Sequence, residues 1–175
     1  ANRRLANPSI ATEIRGQMVF EAKYGADALQ PFTLTARADR VDILAEKAEI
    51  IDYKTGAPPS VKQVKAGFAP QLLLEASILA SGGFAGCDID KKLPIDFSYI
   101  QLTGAYPAGK IQDFKKLDGG QLIEDVLKGL SQRIEDFSNQ ETAYKPRELA
   151  DFAARFRDYD HLARMKEWSL IEGDE

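Results

Sequence analysis

Alternating apolar and polar residues mark three stretches in the first third of the chain. They cover residues 12–22, 32–45 and 49–55. Alternation with a period of two is typical of β-strands that pack one face against a core. Residues 24–31 combine Gly, Asp and Pro and predict a turn or loop between the first two stretches. The short sequence EKAE favours a hairpin between the second and the third.

A helical pattern follows these strands. Residues 60–83 predict a helix with Ser60 as its N-cap, and the pair Gly82-Gly83 provides a C-terminal stop. Pro70 lies inside this stretch, and proline removes a backbone hydrogen bond from a helix interior. We therefore expect the helix to break, or a second helix to start, near Ala69.

The remaining pattern predicts one more strand and one more long helix. Residues 93–104 alternate again, and residues 119–140 carry apolar side chains about every four positions, as an amphipathic helix does. Shorter helices are predicted in the tail from Pro146. Three strands, a helix, a strand and a helix indicate an α/β fold of the α+β type, a mixed sheet with flanking helices, formed by one domain over residues 1–175.

The composition of the chain excludes several classes of protein. The chain has 175 residues, 44% of them hydrophobic, and a net charge of -4. No apolar run approaches the roughly 20 residues that span a bilayer, so we expect a cytoplasmic protein with no membrane partner. The single cysteine, Cys87, excludes a zinc or iron–sulfur site built from several thiolates of this chain. The acidic balance argues against a general nucleic-acid binder, although a nuclease carries acids in its own site.

The third strand carries the residues with the clearest chemical potential. Asp52 and Lys54 are two positions apart, so they share a face about 7 Å apart. If the preceding strand pairs with it as a hairpin, Asp39 lies beside Asp52. Two neighbouring carboxylates repel unless a cation lies between them, and Mg²⁺ prefers such oxygen ligands. Gln71 and Glu75, four apart on the next helix, share a face that can reach the same cleft.

Ordinary structural roles compete with this hypothesis. An Asp-x-Lys on a strand is usually an exposed ion pair. Glu13, on the first strand, is more readily an exposed charge than a site residue. His161 is more often hydrogen-bonded to a neighbour than a ligand or a base.

The order of three short motifs resembles a known family. The sequences ARADRVDIL, IIDYKTG and PQLLLEA follow one another in this chain. They are similar to the PD-(D/E)XK nucleases of the RecB-like branch, which have an acid on one strand, D-Y-K-T-G on the next and Q-x-x-x-Y on the following helix. Over most of the chain, through FTLTARADR, GFAPQL and DYDHLAR, the sequence also resembles the C-terminal nuclease domain of AddB-type helicase–nuclease subunits. The resemblance implies a restriction-endonuclease-like core with flanking helices.

The resemblance also implies roles for individual residues. Asp39 and Asp52 would bind Mg²⁺, for which Mn²⁺ can substitute, with the backbone carbonyl of Tyr53 as a further ligand. Lys54 would be the catalytic lysine, and Gln71 would shape the site and meet the DNA. The implied activity is exonucleolytic hydrolysis of DNA by an activated water during double-strand break repair and recombination. The implied partners are DNA, an AddA-type helicase–nuclease subunit and upstream domains of the same chain.

Three departures from the family pattern leave an alternative open. Glu75 replaces the tyrosine of Q-x-x-x-Y, and its carboxylate can join the site. The RecB-like histidine that precedes the first strand is absent from this chain, which we therefore interpret as a C-terminal fragment of a longer protein. The single cysteine predicts no iron–sulfur cluster. The alternative function is a catalytically inactive scaffold or DNA-guiding module in the same kind of complex.

Overall fold

A computed structural model describes residues 9–24, 28–87, 89 and 93–143. The predicted tail helices and His161 lie outside these residues. The chain divides after Asn139 into two units, and every helix and strand described here belongs to the first. The assignment of residues 1–175 to a single domain stays a prediction.

Five strands form one mixed sheet in chain order. The strands are β1 (Ser9–Tyr24), β2 (Ala28–Ile43), β3 (Ala48–Lys54), β4 (Ile95–Leu102) and β5 (Gly109–Asp113). Neighbours are antiparallel except β3 and β4, which run parallel. The connection between these parallel strands contains α1 (Val61–Lys65) and α2 (Gln71–Ala80), and α3 (Gly119–Ser138) follows β5. The predicted class, an α/β fold with a mixed sheet and flanking helices, is confirmed.

Strands β1 and β2 extend beyond the rest of the sheet as a two-stranded ribbon. Phe20 pairs with Phe32 across it, with ring centroids 5.4 Å apart. The prediction of a turn over residues 24–31 was wrong for Tyr24, which ends β1, and for residues 28–31, which belong to β2. Because β2 pairs with β3 only from Arg40 to Ile43, Pro31 lies where β2 has one neighbouring strand among the described residues. A missing N–H is tolerated on such an edge.

Side chains alternate between the two faces of the sheet along β1 and β2, and this alternation is interrupted at Glu13 and Asp39. Ala38 and Val41 are both fully buried although they are three positions apart. The two strands keep one register on both sides of the break, but Glu13 and Asp39 do not pair, and Glu13 has a φ of 51°. A left-handed residue in a strand interrupts the regular change of faces. This break is where the ribbon meets the rest of the sheet.

The predicted helix over residues 60–83 is two helices, and its predicted signals are confirmed. Ser60 caps α1, because its hydroxyl accepts from the Gln63 N–H at 3.3 Å and its own N–H donates to the Gln63 side chain at 2.8 Å. Pro70 precedes α2 directly. After α2 the chain turns at Gly82, whose φ of 76° suits glycine. The helix α2 packs on the sheet over a core of Val41, Ile50, Leu72, Leu73, Ala76, Ile78, Leu79, Phe97 and Tyr99.

The strand and the helix predicted in the second half of the chain are both present. The predicted strand over residues 93–104 and helix over residues 119–140 exist as β4 and α3. Strand β5 was missed. Its residues are nearly all exposed, and its one large apolar residue, Ile111, is 58% exposed, so it lacks a core-facing pattern. No helix in the described part of the chain combines the length and the apolar character that a membrane crossing needs.

Candidate active site

The register of β2 and β3 brings two acids together at the end of the sheet. The last paired residues are Arg40 and Ile51, and one step further the same register puts Asp39 opposite Asp52. The Tyr53 N–H donates to Asp39 Oδ2 at 3.0 Å, which fixes this carboxylate against β3. Asp52 is only 2% exposed. The structure therefore brings Asp39 beside β3, next to the acid that the motif singles out.

Lys54 covers the buried acid. Its Nζ lies 3.0 Å from Asp52 Oδ1 and 2.8 Å from Asp52 Oδ2. The side chain of Lys54 is one-third exposed, whereas that of Asp52 is almost fully buried. A buried carboxylate needs a partner of opposite charge, and here that partner faces solvent on its other side. The pair is thus more buried than the exposed ion pair that an Asp-x-Lys usually forms.

The first turn of α2 supplies the remaining side chains. Gln71 Nε2 donates to Asp52 Oδ1 at 2.7 Å and to Glu75 Oε1 at 3.2 Å, and Gln71 Oε1 accepts from Lys54 Nζ at 3.2 Å. One amide therefore joins the two acids and the lysine. Asp52, Lys54, Gln71 and Glu75 form a single hydrogen-bonded network, with Asp39 at its border.

Glu75 is a buried acid of this network with a raised pKa. The pKa of Glu75 is raised to about 7, mainly by burial and also by repulsion from Asp52 and Asp39, against the lowering effect of the hydrogen bond from Gln71. Its Oε2 is buried and has no hydrogen-bond partner among the described residues. A perturbed pKa and an unsatisfied buried oxygen are features that cluster at functional sites.

Tyr99 is a site residue that the sequence did not indicate. The parallel register of β3 and β4 places it beside Asp52, and Lys54 Nζ lies 5.7 Å from the centre of its ring. Burial, with the charges of Asp52 and Glu75, raises the pKa of Tyr99 to about 12. Its position in an alternating strand gave no signal, because the sequence does not reveal which strand lies beside β3.

The chemistry of the donor set suits a hard divalent cation. The nearby donors are carboxylate oxygens, and two of them, Asp52 Oδ2 and Glu75 Oε2, are buried without a hydrogen bond of good geometry among the described residues. Mg²⁺ takes oxygen ligands of this kind and keeps several waters. Within the described ranges no three acidic, histidine or cysteine side chains are close enough to form a complete metal site by themselves. A cation would therefore need backbone, water or phosphate oxygens as well.

Glu13, the weaker candidate of the first strand, points elsewhere. Its carboxylate forms an ion pair with Arg37 at 2.8 Å, and 59% of its side chain is exposed. The interpretation of Glu13 as an exposed charge fits this geometry. The roles assigned to Asp39, Asp52, Tyr53, Lys54, Gln71 and Glu75 stay predictions, although the structure brings their side chains or backbone to one place.

A mixed sheet with flanking helices and an acid–lysine strand at its centre is consistent with a nuclease-like fold. The model of the PD-(D/E)XK nuclease superfamily matches residues 3–166. That match covers most of the chain, so the chain belongs to the PD-(D/E)XK nuclease superfamily. Membership supports a nuclease-type hydrolase, and nucleases of this superfamily typically use divalent metals such as Mg²⁺.

The relatives found among curated proteins are uncharacterised proteins of Rickettsia. One from Rickettsia bellii is 24% identical over 172 residues, which cover 91% of this chain and 19% of the relative. One from Rickettsia conorii is 37% identical over 60 residues, or 34% of this chain and 7% of the relative. One from Rickettsia typhi is 32% identical over 83 residues, which cover 47% of this chain and 9% of the relative. The chain thus spans less than a fifth of each relative, and no solved structure matches it.

Proposed function

We propose that this chain is a Mg²⁺-dependent deoxyribonuclease domain that hydrolyses phosphodiester bonds. The observation that carries the proposal is the network at the end of β3, in which a buried acid, a one-third-exposed lysine and a helix amide are bonded together beside a second acid. Membership of the PD-(D/E)XK superfamily supports the same reaction class. Asp39, Asp52 and the Tyr53 carbonyl would hold the cation.

Each residue of this network would have its own role in phosphodiester hydrolysis. A bound divalent cation supplies positive charge at the phosphate and lowers the pKa of a bound water. Lys54, which reaches solvent, would donate to the phosphate or to the attacking water. Gln71 would hold Lys54 through its Oε1 and Asp52 through its Nε2, so that both stay oriented when substrate enters.

We also propose the wider role that the motifs suggested. The chain would act as the exonuclease domain of an AddB-type subunit, with an AddA-type helicase–nuclease subunit and further domains of its own chain as partners in double-strand break repair. The support is the motif resemblance, together with relatives of which the matched part of this chain covers only 7% to 19%. An inactive scaffold is the second candidate, and the ion pair that already neutralises Asp52 through Lys54 favours it.

Metal titration separates the two candidates. We would titrate Mn²⁺ and Mg²⁺ by calorimetry into the wild-type chain, Asp52→Ala and the control Asp96→Asn. Asp96 lies at the opposite end of the same parallel strand pair, where it pairs with Lys47, so its removal tests a general loss of charge. A nuclease domain binds metal, loses binding in Asp52→Ala and keeps it in Asp96→Asn.

Cleavage is measured next with end-labelled DNA and Mg²⁺. The wild-type chain should shorten the DNA, whereas Asp52→Ala and Lys54→Ala should not. Metal binding without cleavage, even in a longer chain that includes the upstream residues, would support the scaffold. No metal binding by the wild-type chain in the presence of DNA would contradict the proposal.

A further inference from the structure

The β1–β2 ribbon places two arginines directly opposite each other. Arg15 on β1 pairs with Arg37 on β2. Directly opposite side chains have their Cβ atoms about 5 Å apart, and like charges at that distance destabilise a strand pair. Glu13 binds Arg37 at 2.8 Å, but Arg15 has no acidic partner among the residues that the structure describes. The pair therefore keeps an excess of positive charge.

The two arginines line an open cleft of about 750 Å³. Its other lining side chains include those of Gln17 and Thr35, which also pair across the ribbon and can donate hydrogen bonds. Gly16 and Ala36 lie between the two polar pairs, and the Phe84 ring packs against Gly16. The cleft thus combines positive charge, neutral donors and space.

We propose that this cleft binds the phosphodiester backbone of a nucleic acid strand. The inference rests on the proposed function, because it places a strand of the substrate beside the candidate site. Arg37 lies two positions before Asp39 on β2, which is about 7 Å along the strand. Guanidinium groups match phosphate with two parallel hydrogen bonds. A phosphate would compensate Arg15 and compete with Glu13 for Arg37.

The test is nucleic-acid binding without catalysis. Fluorescence anisotropy would follow a labelled oligothymidylate in EDTA over a series of salt concentrations, for the wild-type chain, Arg15→Gln, Arg37→Gln and the double variant. Each phosphate contact on a single strand contributes about 0.7 to the salt slope. The double variant should lose about 1.4 of that slope and bind about tenfold more weakly at low salt. The charge-matched control Lys23→Gln, at the far end of β1, should keep the wild-type slope.

A substitution that removes a negative charge, and should therefore strengthen binding, provides a second test. Glu13→Gln removes the acid that competes for Arg37, so it should strengthen binding about twofold to threefold beyond the control Glu21→Gln, an exposed acid on the same strand. The arginines are exposed, so these variants are expected to fold, and circular dichroism verifies it. Unchanged binding by the double variant, or no binding by the wild-type chain, overturns the proposal.

The outcomes also distinguish this inference from the proposed function. Asp52→Asn should abolish cleavage and leave the arginine dependence of binding intact. Arginine-dependent binding by a chain that never cleaves DNA would contradict the catalytic proposal alone. Cleavage with binding that ignores Arg15 and Arg37 would contradict this inference alone.

Discussion

Replacing Glu75 by glutamine tests the electrostatics of the buried network. In the metal-free protein the pKa of Glu75 is raised from 4.5 to about 7, mainly because the carboxyl is buried. The folded chain therefore binds this proton more tightly than the unfolded chain. Below about pH 4.5 both states hold the proton, and stability falls as pH rises from there to about 7. Above pH 7 the stabilisation that this proton provides is lost completely.

The expected change in the free energy of unfolding follows from that difference in proton affinity. A pKa that moves from 4.5 to about 7 corresponds to about 3 kcal/mol, since each tenfold change in affinity is worth about 1.4 kcal/mol. Glutamine keeps the carbonyl oxygen that accepts from Gln71 and has no charge to repel Asp52. We therefore expect Glu75→Gln to unfold with a free energy up to about 3 kcal/mol higher than the wild-type chain at pH 8.

Urea unfolding in EDTA at pH 8 and pH 5 measures this difference. The gain from Glu75→Gln should be large at pH 8 and much smaller at pH 5, because the folded wild-type chain still holds the proton at pH 5. Glu124→Gln, on the exposed side of α3, is the control and should change little at either pH. A gain that does not depend on pH, or a loss at pH 8, would refute the reasoning.

Three further substitutions test other contacts. Lys54→Met should lower the metal-free stability by roughly 2 kcal/mol, because Asp52 loses its charged partner. Calorimetry should show Mn²⁺ binding about tenfold tighter, because no ammonium group repels the cation; unchanged affinity contradicts this. Glu13→Gly should be more stable than Glu13→Ala by about 1 kcal/mol in urea unfolding, because both lack the ion pair but only alanine keeps the strain of a φ of 51°; equal stabilities would show no strain. Gly16→Ala should lose about 1–3 kcal/mol in thermal unfolding, because a Cβ there would lie 2.4 Å from the Phe84 ring; an unchanged melting temperature refutes the close contact.

The sequence predicted those parts of the molecule that depend on local chemistry. The alternation before β3, the cap at Ser60 and the break at Pro70 are consequences of side-chain size and backbone geometry within a few residues. The meeting of Asp39 with Asp52 was also predictable, because a short hairpin fixes which residues face each other. Residue spacing likewise put Gln71 and Glu75 on one face of a helix.

Other features depend on contacts between distant parts of the chain. Tyr99 lies beside Asp52 only because β4 runs parallel to β3, which no local pattern reveals. The break at Glu13 requires a backbone conformation that glutamate rarely adopts. Strand β5 is held by its hydrogen bonds to β4 rather than by burial, so its exposed side chains carry no periodic signal. The opposition of Arg15 and Arg37 follows from the register of a ribbon whose predicted turn extended into both strands.

The ribbon of β1 and β2 has a consequence for local opening. From Ala28 to Ala38, β2 has β1 as its only paired strand in the described part of the chain, so about every second amide of β2 there points away from a partner. Hydrogen exchange should therefore alternate between fast and slow amides along this segment. In β3, which has strands on both sides, protection should be continuous from Ala48 to Ile51. The outer ribbon can thus open and close as its own cooperative unit while the acids at its base stay assembled.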